Sequence, residues 1–321
     1  MKRTSGIVGT IVIMLCLLTG CVSTVPESAA SSIVVEAAMV DSPDRLLVYA
    51  SFFPMYDFAG KIGGDRIELR NMIPVGADPH DWEPTPALIA GLSGADVFIY
   101  NGAGMEHWVD TVLASLENEN LTVVETGAGL PLLKGGCARH HFHNDCDDPF
   151  DSHVWLNPLL AKLQMAAIKD ALAAADPNNR DYFETNFNFY AEELDRLDAE
   201  FRETLTPLPN NVIVVAHEAF GYLADAYGLI QMGITGLQPD TEPTPARMAE
   251  VITFVKENSI GTIFFEELAS PRVAEAIVGA TGTQVAALNP LEGLTDAEIA
   301  EGADYFSVMR NNLEALRRAL E

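Results

Sequence analysis

Three of the seven histidines stand in settings that could bring imidazole rings together around a metal ion. His80 lies in a loop whose backbone is restricted by prolines on both sides. His153 stands in a turn just before Asn157-Pro158, and His217 directly follows an apolar run at residues 212–216. All three positions are strand ends or loop tips, where binding residues are commonly found.

Imidazole nitrogen is a good ligand for borderline metals such as zinc, whereas calcium and magnesium prefer oxygen. One histidine in a loop is usually a hydrogen-bonded structural residue. Three histidines in loops that could converge favour a binding site instead. The sequence therefore predicts a zinc site formed by His80, His153 and His217.

The order of apolar runs predicts the framework that positions these histidines. Short runs of strand-forming residues alternate with segments of helical period, which is typical of parallel sheets with helices on both faces. Residues 180–205 form one long amphipathic segment. We predict an α/β fold of two similar lobes, each a parallel sheet flanked by helices, joined by one long rigid helix. The lobes are expected at residues 45–177 and 207–321, the linking helix at 178–206, and the ligand at the carboxyl ends of the strands.

The amino-terminal residues predict export and lipid attachment. Two basic residues precede an apolar run at residues 7–18, which has the length of a secretory signal core and is too short to span a bilayer comfortably. The run ends in Leu18-Thr19-Gly20-Cys21, which resembles the lipobox of bacterial-type lipoproteins. We therefore expect a lipoprotein signal peptide at residues 1–21, lipidation of Cys21 and a flexible tether at residues 22–44. An uncleaved anchor helix is the alternative.

The charge balance excludes one class of partner. The chain has 19 basic and 46 acidic residues and a formal net charge of -27. Such a charge repels phosphate backbones and anionic lipid surfaces, so we expect no nucleic-acid partner and no membrane contact beyond the lipid anchor. The same field attracts cations weakly but specifies no particular ligand.

Two cysteines are left after the signal and the anchor are assigned. Cys16 falls within the signal, and Cys21 would carry the lipid. Cys137 and Cys146 then remain in an oxidising compartment, where a small disulfide loop is plausible. A pair of free thiolates that bind metal is the alternative, and the sequence leaves both open.

Several segments, in the same order along the chain, resemble the zinc and manganese substrate-binding lipoproteins of ATP-binding-cassette importers. They are residues 76–86, 101–108, 151–158 and 216–222, with Glu242-Pro243, Phe265-Glu266 and residues 305–313. The resemblance covers about residue 46 to the end. It implies a metal held between two lobes by residues of both, and delivery of that metal to an importer permease. We expect such a protein to act as a monomer outside the cytoplasm, anchored to the outer face of the cell membrane.

The resemblance also bears on the choice of metal. In this family a third ligand that is histidine accompanies zinc and a glutamate there accompanies manganese, and this chain has His217. Zinc members tend to carry an acidic, histidine-rich loop in the first lobe. Residues 137–148, which contain His140, His141 and His143, are similar to a short version that would collect metal or pass it inward. A solvated loop without a specific role is the alternative.

One position departs from the family pattern. The family commonly supplies a fourth, carboxylate ligand from a Leu-Asp-Pro turn, where this chain has Leu288-Asn289-Pro290. A strong bond from the Asn289 carbonyl is doubtful, so the candidates are water, Glu266, Glu267 or a histidine of the loop. We hypothesise a water ligand, which predicts that Asn289→Asp tightens zinc binding.

Other functions remain to be weighed against zinc delivery. A manganese- or iron-binding protein of the same transporter class, an adhesin and a passive zinc store are three. A zinc-dependent hydrolase is a fourth, but residues 217–221 lack the second histidine of a His-Glu-x-x-His helix, and only Glu218 stands out as a general base. Histidine ligation further predicts that metal capture weakens below about pH 6.

Overall fold

A computed structural model describes residues 45–135, 150–237, 242–266 and 271–321 of the 321-residue chain. The predicted signal peptide, tether and histidine-rich loop lie outside these residues. Several candidate residues therefore stay predictions: Cys21, Cys137, His140, His141, His143, Cys146 and Glu267.

The described residues contain eight strands and ten α-helices. The strands are β1 (Leu46–Ala50), β2 (Ile67–Asn71), β3 (Val97–Tyr100), β4 (Thr122–Glu125), β5 (Val212–Val215), β6 (Ile230–Gly233), β7 (Thr262–Phe265) and β8 (Gln284–Ala287). The helices are α1 (Phe53–Gly63), α2 (Pro86–Leu92), α3 (Val109–Ser115), α4 (Pro158–Ala175), α5 (Arg180–Leu205), α6 (Gly221–Tyr227), α7 (Pro245–Glu257), α8 (Pro271–Thr281), α9 (Asp296–Ala300) and α10 (Tyr305–Leu320). Across these described residues, no helix is long and apolar enough to cross a membrane.

The strands form two four-stranded sheets of the same design. Their orders are β2-β1-β3-β4 and β6-β5-β7-β8, and every neighbouring pair is parallel. In each sheet the chain reverses the direction in which it adds strands, between β1 and β3 and between β5 and β7. Ligands bind at the carboxyl ends of the strands near such a reversal. The predicted fold of two lobes with parallel sheets flanked by helices is confirmed.

Continuous apolar runs explain why these strands are central. The sequence of β5 is Val-Ile-Val-Val, and three of its four residues are fully buried. Such runs are typical of parallel strands that helices cover on both faces. The helix α4 then begins where Asn157 accepts hydrogen bonds from the backbone N–H groups of Leu159 and Leu160, with Pro158 in the first turn. This start fixes the end of the turn that carries His153.

The long helix α5 lies between the two sheets in the chain and packs against helices from both halves. It has 26 residues and contacts α1 and α4 of the first half and α6 and α10 of the second. Its buried face is apolar and includes Phe183, Leu197 and Phe201. This helix, predicted over the same residues, therefore ties the halves together by burial of one apolar stripe.

A single apolar core extends across the cleft between the halves. It joins Phe52 and Trp155 of the first half to Leu291 and Tyr305 of the second. Two hydrogen bonds reinforce it: the indole Nε1 of Trp155 donates to the carbonyl of Pro290 at 2.7 Å, and the Tyr305 hydroxyl donates to the carbonyl of Trp155 at 2.7 Å. Each half also has a smaller cluster of its own. The halves therefore share part of their core.

A partly buried ion cluster adds a polar link between α1 and the start of α10. The ammonium of Lys61 lies 3.0 Å from Asp57 Oδ1 and 2.9 Å from Asp304 Oδ2, and Asp304 is the N-cap of α10. Burial raises the pKa of Asp57, although the charge of Lys61 opposes that effect. The ionised form of Asp57 therefore depends on Lys61.

We predict that Lys61→Met destabilises the fold by about 3–5 kcal/mol at neutral pH, because it leaves the Asp57 carboxylate buried without a counter-charge. The deficit should shrink as the pH falls through the pKa of Asp57, since a protonated carboxyl tolerates burial. Urea denaturation measures both effects. The double variant Lys61→Met/Asp57→Asn should recover much of the loss. A Lys61→Met protein as stable as the parent would contradict this account.

Candidate metal centre

The three predicted histidines lie at the carboxyl edges of the two sheets. His80 is in the loop that follows β2, His153 in the loop that follows β4, and His217 two residues beyond the end of β5. Parallel strands place all their carboxyl ends on one edge of a sheet. Since the two edges face each other across the cleft, loops from both halves reach a common point.

The structure brings His80, His153 and His217 together with a fourth residue, Glu292. The Nε2 atoms of His153 and His217 are 3.4 Å apart. Glu292 Oε1 lies 2.9 Å from Nε2 of His153, 3.1 Å from that of His217 and 3.3 Å from that of His80. Bonds of about 2.0–2.1 Å to a tetrahedral zinc ion would separate neighbouring ligand atoms by about 3.3–3.4 Å. The cluster therefore has the donor set and close to the spacing of a tetrahedral zinc site.

The four side chains are unequally exposed. The side chains of His153 and His217 are almost fully buried, and those of His80 and Glu292 retain slight exposure, 7% and 9%. Charged or strongly polar groups are stable in such a place only when they are paired with each other or with a metal. The cluster is therefore a largely desolvated polar centre that reaches solvent at His80 and at Glu292.

Carboxylates behind the histidines fix the directions of the rings. Asp151 Oδ1 lies 2.9 Å from Nδ1 of His153 and also accepts the backbone N–H of that residue at 3.0 Å. Glu266, the first residue after β7, contacts Nδ1 of His217. These contacts occupy the Nδ1 atoms and leave each Nε2 directed at the centre. A carboxylate in this position orients a metal-bound imidazole and raises its basicity.

The loop of His80 is held by a similar hydrogen bond from an aspartate side chain. Asp78 Oδ1 accepts the backbone N–H of His80 at 2.9 Å, as Asp151 does for His153. In both loops an aspartate precedes the histidine by two residues, which closes a compact turn of the Asx type. The Asp-x-His spacing is a local signal in the sequence that could have identified Asp151 as the orienting partner of His153.

The electrostatics of the cluster couple its histidines to its carboxylates. Burial lowers the pKa of His217, but the charges of Glu266 and Glu292 outweigh it and hold that pKa well above its ordinary value. Burial likewise opposes protonation of His153, and hydrogen bonds to Asp151 and Glu292 raise its pKa overall. Burial disfavours the ionised form of Glu292, but His217 and His80 hold its pKa well below the usual range. The carboxylates thus favour the protonated forms of His153 and His217, and the histidines favour the ionised form of Glu292.

Comparison with known proteins identifies the family of this chain. A family model described as the zinc-uptake complex component A, periplasmic, matches residues 48–319. The chain belongs to this family. The high-affinity zinc uptake system protein ZnuA of Bacillus subtilis is 37% identical over 281 residues, which cover 86% of this chain and 88% of that protein. The zinc-binding lipoprotein AdcA of Streptococcus pneumoniae is 36% identical over 281 residues, and this chain spans 56% of its length.

A solved structure of a relative supports the same assignment. The Zn(II)-bound ZnuA-like domain of Streptococcus pneumoniae AdcA is 36% identical to this chain and superposes with a TM-score of 0.76. The match covers 86% of this chain and 99% of that domain. This zinc-uptake component therefore has the same two-lobed architecture as a relative whose structure contains bound zinc.

The structure adds a candidate for the fourth ligand, Glu292. Glu292 was not among the candidates named from the sequence, and its Oε1 lies within 3.3 Å of the three Nε2 atoms. Glu266 contacts His217 at Nδ1, on the side of the ring that faces away from the centre. Glu292 follows β8 by five residues and lies in a turn without a periodic pattern. The one sequence signal that could have identified it is its position beyond the carboxyl end of a strand in the same sheet as β5.

Asn289 has a bracing role in this turn. Its side-chain amide donates to Glu298 Oε1 at 3.1 Å, and its Oδ1 accepts the backbone N–H of Leu291 at 2.7 Å. Asn312 of α10 holds the backbone of Asn289 on both sides, since it accepts from the N–H at 2.9 Å and donates to the carbonyl at 2.7 Å. Leu291 has a φ of 63°, an unfavourable conformation for a leucine that needs such support. These bonds fix the turn that presents Glu292.

We predict that Asn289→Asp weakens zinc binding at neutral pH, contrary to the hypothesis of a water ligand. The new carboxylate would face Glu298 in place of the amide that now donates to it, and like charges at this distance repel. Isothermal titration with zinc measures the change. The double variant Asn289→Asp/Glu298→Gln restores a donor and acceptor pair and should recover most of the affinity. Tighter binding by the single variant would show that position 289 can serve as a ligand.

We also predict that zinc binding releases protons at pH 7 and weakens as the pH falls. The pKa values of His153 and His217 are raised, so protons compete with the metal at a higher pH than ordinary imidazoles of pKa about 6.5 would allow. The onset should lie above the pH 6 expected from the sequence, with about a tenfold loss of affinity per pH unit for each proton displaced. Titrations in buffers of different ionisation enthalpy count the protons. Constant affinity between pH 7.5 and 6 would contradict the prediction.

Proposed function

We propose that this protein captures Zn²⁺ outside the cytoplasm and delivers it to the permease of an ATP-binding-cassette importer. The proposal rests on one observation: one ligand atom from each of three imidazoles and one carboxylate lie within 4.8 Å of one another in a buried cleft. His80, His153, His217 and Glu292 would each give one bond to the ion. Membership of the zinc-uptake family supports the same cargo.

The ligand set favours zinc over other divalent cargo. Three neutral imidazoles and one carboxylate bind zinc well, and the general affinity order of divalent ions places manganese and iron below it. The ion would replace the protons that balance Glu292 in the metal-free protein, so that burial of the carboxylate is matched by charge in both states. A manganese- or iron-specific role fits this donor set less well.

The same site argues against a hydrolase. Catalytic zinc sites keep an open position for water, whereas here a fourth side chain lies at the centre. Glu218, the only general base suggested by the sequence, is a buried residue at the start of a short 3-10 helix and lies outside the four-residue cluster. We infer that the protein binds and transfers the metal without chemistry on a second substrate.

Attachment to the cell surface is part of the proposal. Lipidation at Cys21, with removal of the residues that precede it, would hold the protein at the outer face of the membrane, with residues 22–44 as a tether. The name of the relative AdcA as a zinc-binding lipoprotein supports this placement. The loop with His140, His141 and His143 would collect zinc near the protein, with or without a disulfide between Cys137 and Cys146. We expect the protein to work as a monomer.

Removal of any one ligand should lower zinc affinity more than about 100-fold, because loss of even an orienting partner costs about 10- to 100-fold. The variants are His80→Ala, His153→Ala, His217→Ala and Glu292→Gln, titrated with zinc in competition with a chelator. Glu119→Gln, an exposed residue in the loop before β4, is the control. Circular dichroism should show the same fold in every variant.

Competition by metals completes the test. A tenfold excess of manganese should leave bound zinc in place, because imidazole ligands strongly favour zinc. Cells that lack the protein should take up less zinc, and the wild-type chain should restore uptake where Glu292→Gln does not. Displacement of zinc by manganese, or wild-type affinity in Glu292→Gln, would refute the proposed site. Undiminished import in cells without the protein would favour a store or an adhesin.

A further inference from the structure

A cavity leads from the surface to the most exposed of the four clustered residues. It has a volume of about 240 Å³ and its lining includes His80, Asp81, Gly104 and His107 from the first half and Leu237 from the second. His80 is therefore both a member of the buried cluster and part of the cavity wall. A zinc ion that enters through this cavity would meet His80 before the buried ligands.

A second histidine stands in this cavity, paired with a carboxylate. His107 Nε2 lies 3.8 Å from Glu83 Oε1, and both side chains are well exposed. Two atoms bound to one zinc ion can be no more than about 4.2 Å apart, which is twice the bond length of about 2.1 Å. The pair is thus close enough to bind one ion together, with water in the remaining positions.

Packing keeps the two loops of this pair together. Trp82, next to Glu83, packs edge to face against Trp108, next to His107, with ring centroids 5.5 Å apart. Trp108 is buried, and its ring also packs against Phe98 of β3. An aromatic contact of this kind fixes neighbouring backbone better than exposed polar groups can. His107 and Glu83 are therefore held near each other by their neighbours.

The loop that precedes His107 is rigid and shaped to leave the cavity open. Gly102, Ala103 and Gly104 all have positive φ, at 80°, 54° and 93°. The buried carboxylate of Glu106 accepts the N–H groups of Asn101 and Gly102 at 2.9 and 3.0 Å. It also accepts the hydroxyl of Ser51 at 2.6 Å. Such conformations persist only where the surroundings enforce them and are concentrated at functional sites. The loop therefore lines the cavity with small residues and positions His107.

From this arrangement we propose that His107 and Glu83 form an entrance site, which holds a partly hydrated zinc ion and passes it to His80. The inference rests on the proposed function and adds a route to the same centre. Aqueous zinc must exchange its water molecules for protein ligands in steps. The imidazole of His107, which lines the cavity, and the carboxylate of Glu83 beside it would replace the first of them. The acidic residues Asp81 and Glu83 also raise the local concentration of cations.

Stopped-flow kinetics test the proposal by comparing how a substitution changes the association and the dissociation rate constants of zinc. Zinc binding is followed by intrinsic tryptophan fluorescence, to which Trp155 contributes with its ring 5.3 Å from that of His153. In His107→Gln we expect the association rate constant to fall about 3- to 10-fold, within the range by which local charge and capture alter association. The dissociation rate constant should fall by the same factor. Equal changes are required because the entrance site belongs to the path and not to the final complex.

Matched variants separate the contributions. His107→Gln keeps a neutral polar side chain, so its effect isolates the imidazole, whereas Glu83→Gln also removes a charge. Glu119→Gln removes one charge at the opposite end of the first sheet and should leave both rate constants unchanged. His80→Ala should raise the dissociation rate constant. Each variant is measured in the full chain and in the background His140→Ala/His141→Ala/His143→Ala, so that the loop histidines cannot compensate.

The outcomes distinguish this inference from the proposed function. A His107→Gln protein whose association rate constant matches that of Glu119→Gln would overturn the entrance site and leave His107 and Glu83 as a surface ion pair. A variant that loses equilibrium affinity would make His107 a ligand of the final complex, which also overturns the inference. If the wild-type chain itself fails to bind zinc, the proposed function fails.

Discussion

A carboxylate removed from water must be balanced by positive charge, and the cleft of this protein is organised around one such carboxylate, Glu292. It is buried, and its Oε1 atom lies within 3.3 Å of three imidazole nitrogens. Without metal, protons on His153 and His217 would supply the balance, since the neighbouring carboxylates raise the pKa of both. A divalent cation can supply the same balance with shorter bonds. The metal-free and metal-bound states thus differ in which cation lies beside one fixed anion.

The surrounding residues prevent this centre from relaxing in other ways. Asp151 and Glu266 occupy the Nδ1 atoms of two rings, so the Nε2 atoms cannot turn away without the loss of a buried hydrogen bond. On the opposite side, Asn289 and Asn312 hold the turn of Glu292 through four hydrogen bonds. Preorganised ligands of this kind bind metal with little loss of conformational entropy.

Much of the framework could be predicted because it depends on local patterns. Continuous apolar runs identified the strands, and α5 was predicted over residues 180–205, the span that it occupies. The three histidines could be found because each stands where a strand or a rigid loop ends. Glu292 could not, since it lies in an irregular turn whose shape depends on contacts with Asn312, 23 residues beyond Asn289. Helix α9 was also missed, because five residues give too short a period to recognise. The shared core could not be predicted either, because, like the turn of Glu292, it depends on contacts between residues distant in the chain.

The hydrogen bond from Trp155 to Pro290, together with this shared core, limits how far the two halves can rotate apart. Trp155 stands two residues after His153, and Pro290 two residues before Glu292, so the bond joins the two walls of the cleft beside the centre itself. A wide rotation of one half away from the other would break that bond and expose apolar side chains to water. Displacement of the single loop between β2 and α2, which carries His80, would leave that bond in place. Such a displacement would open the site while the two halves stay together. A docking partner would then need to move only that loop to release the ion.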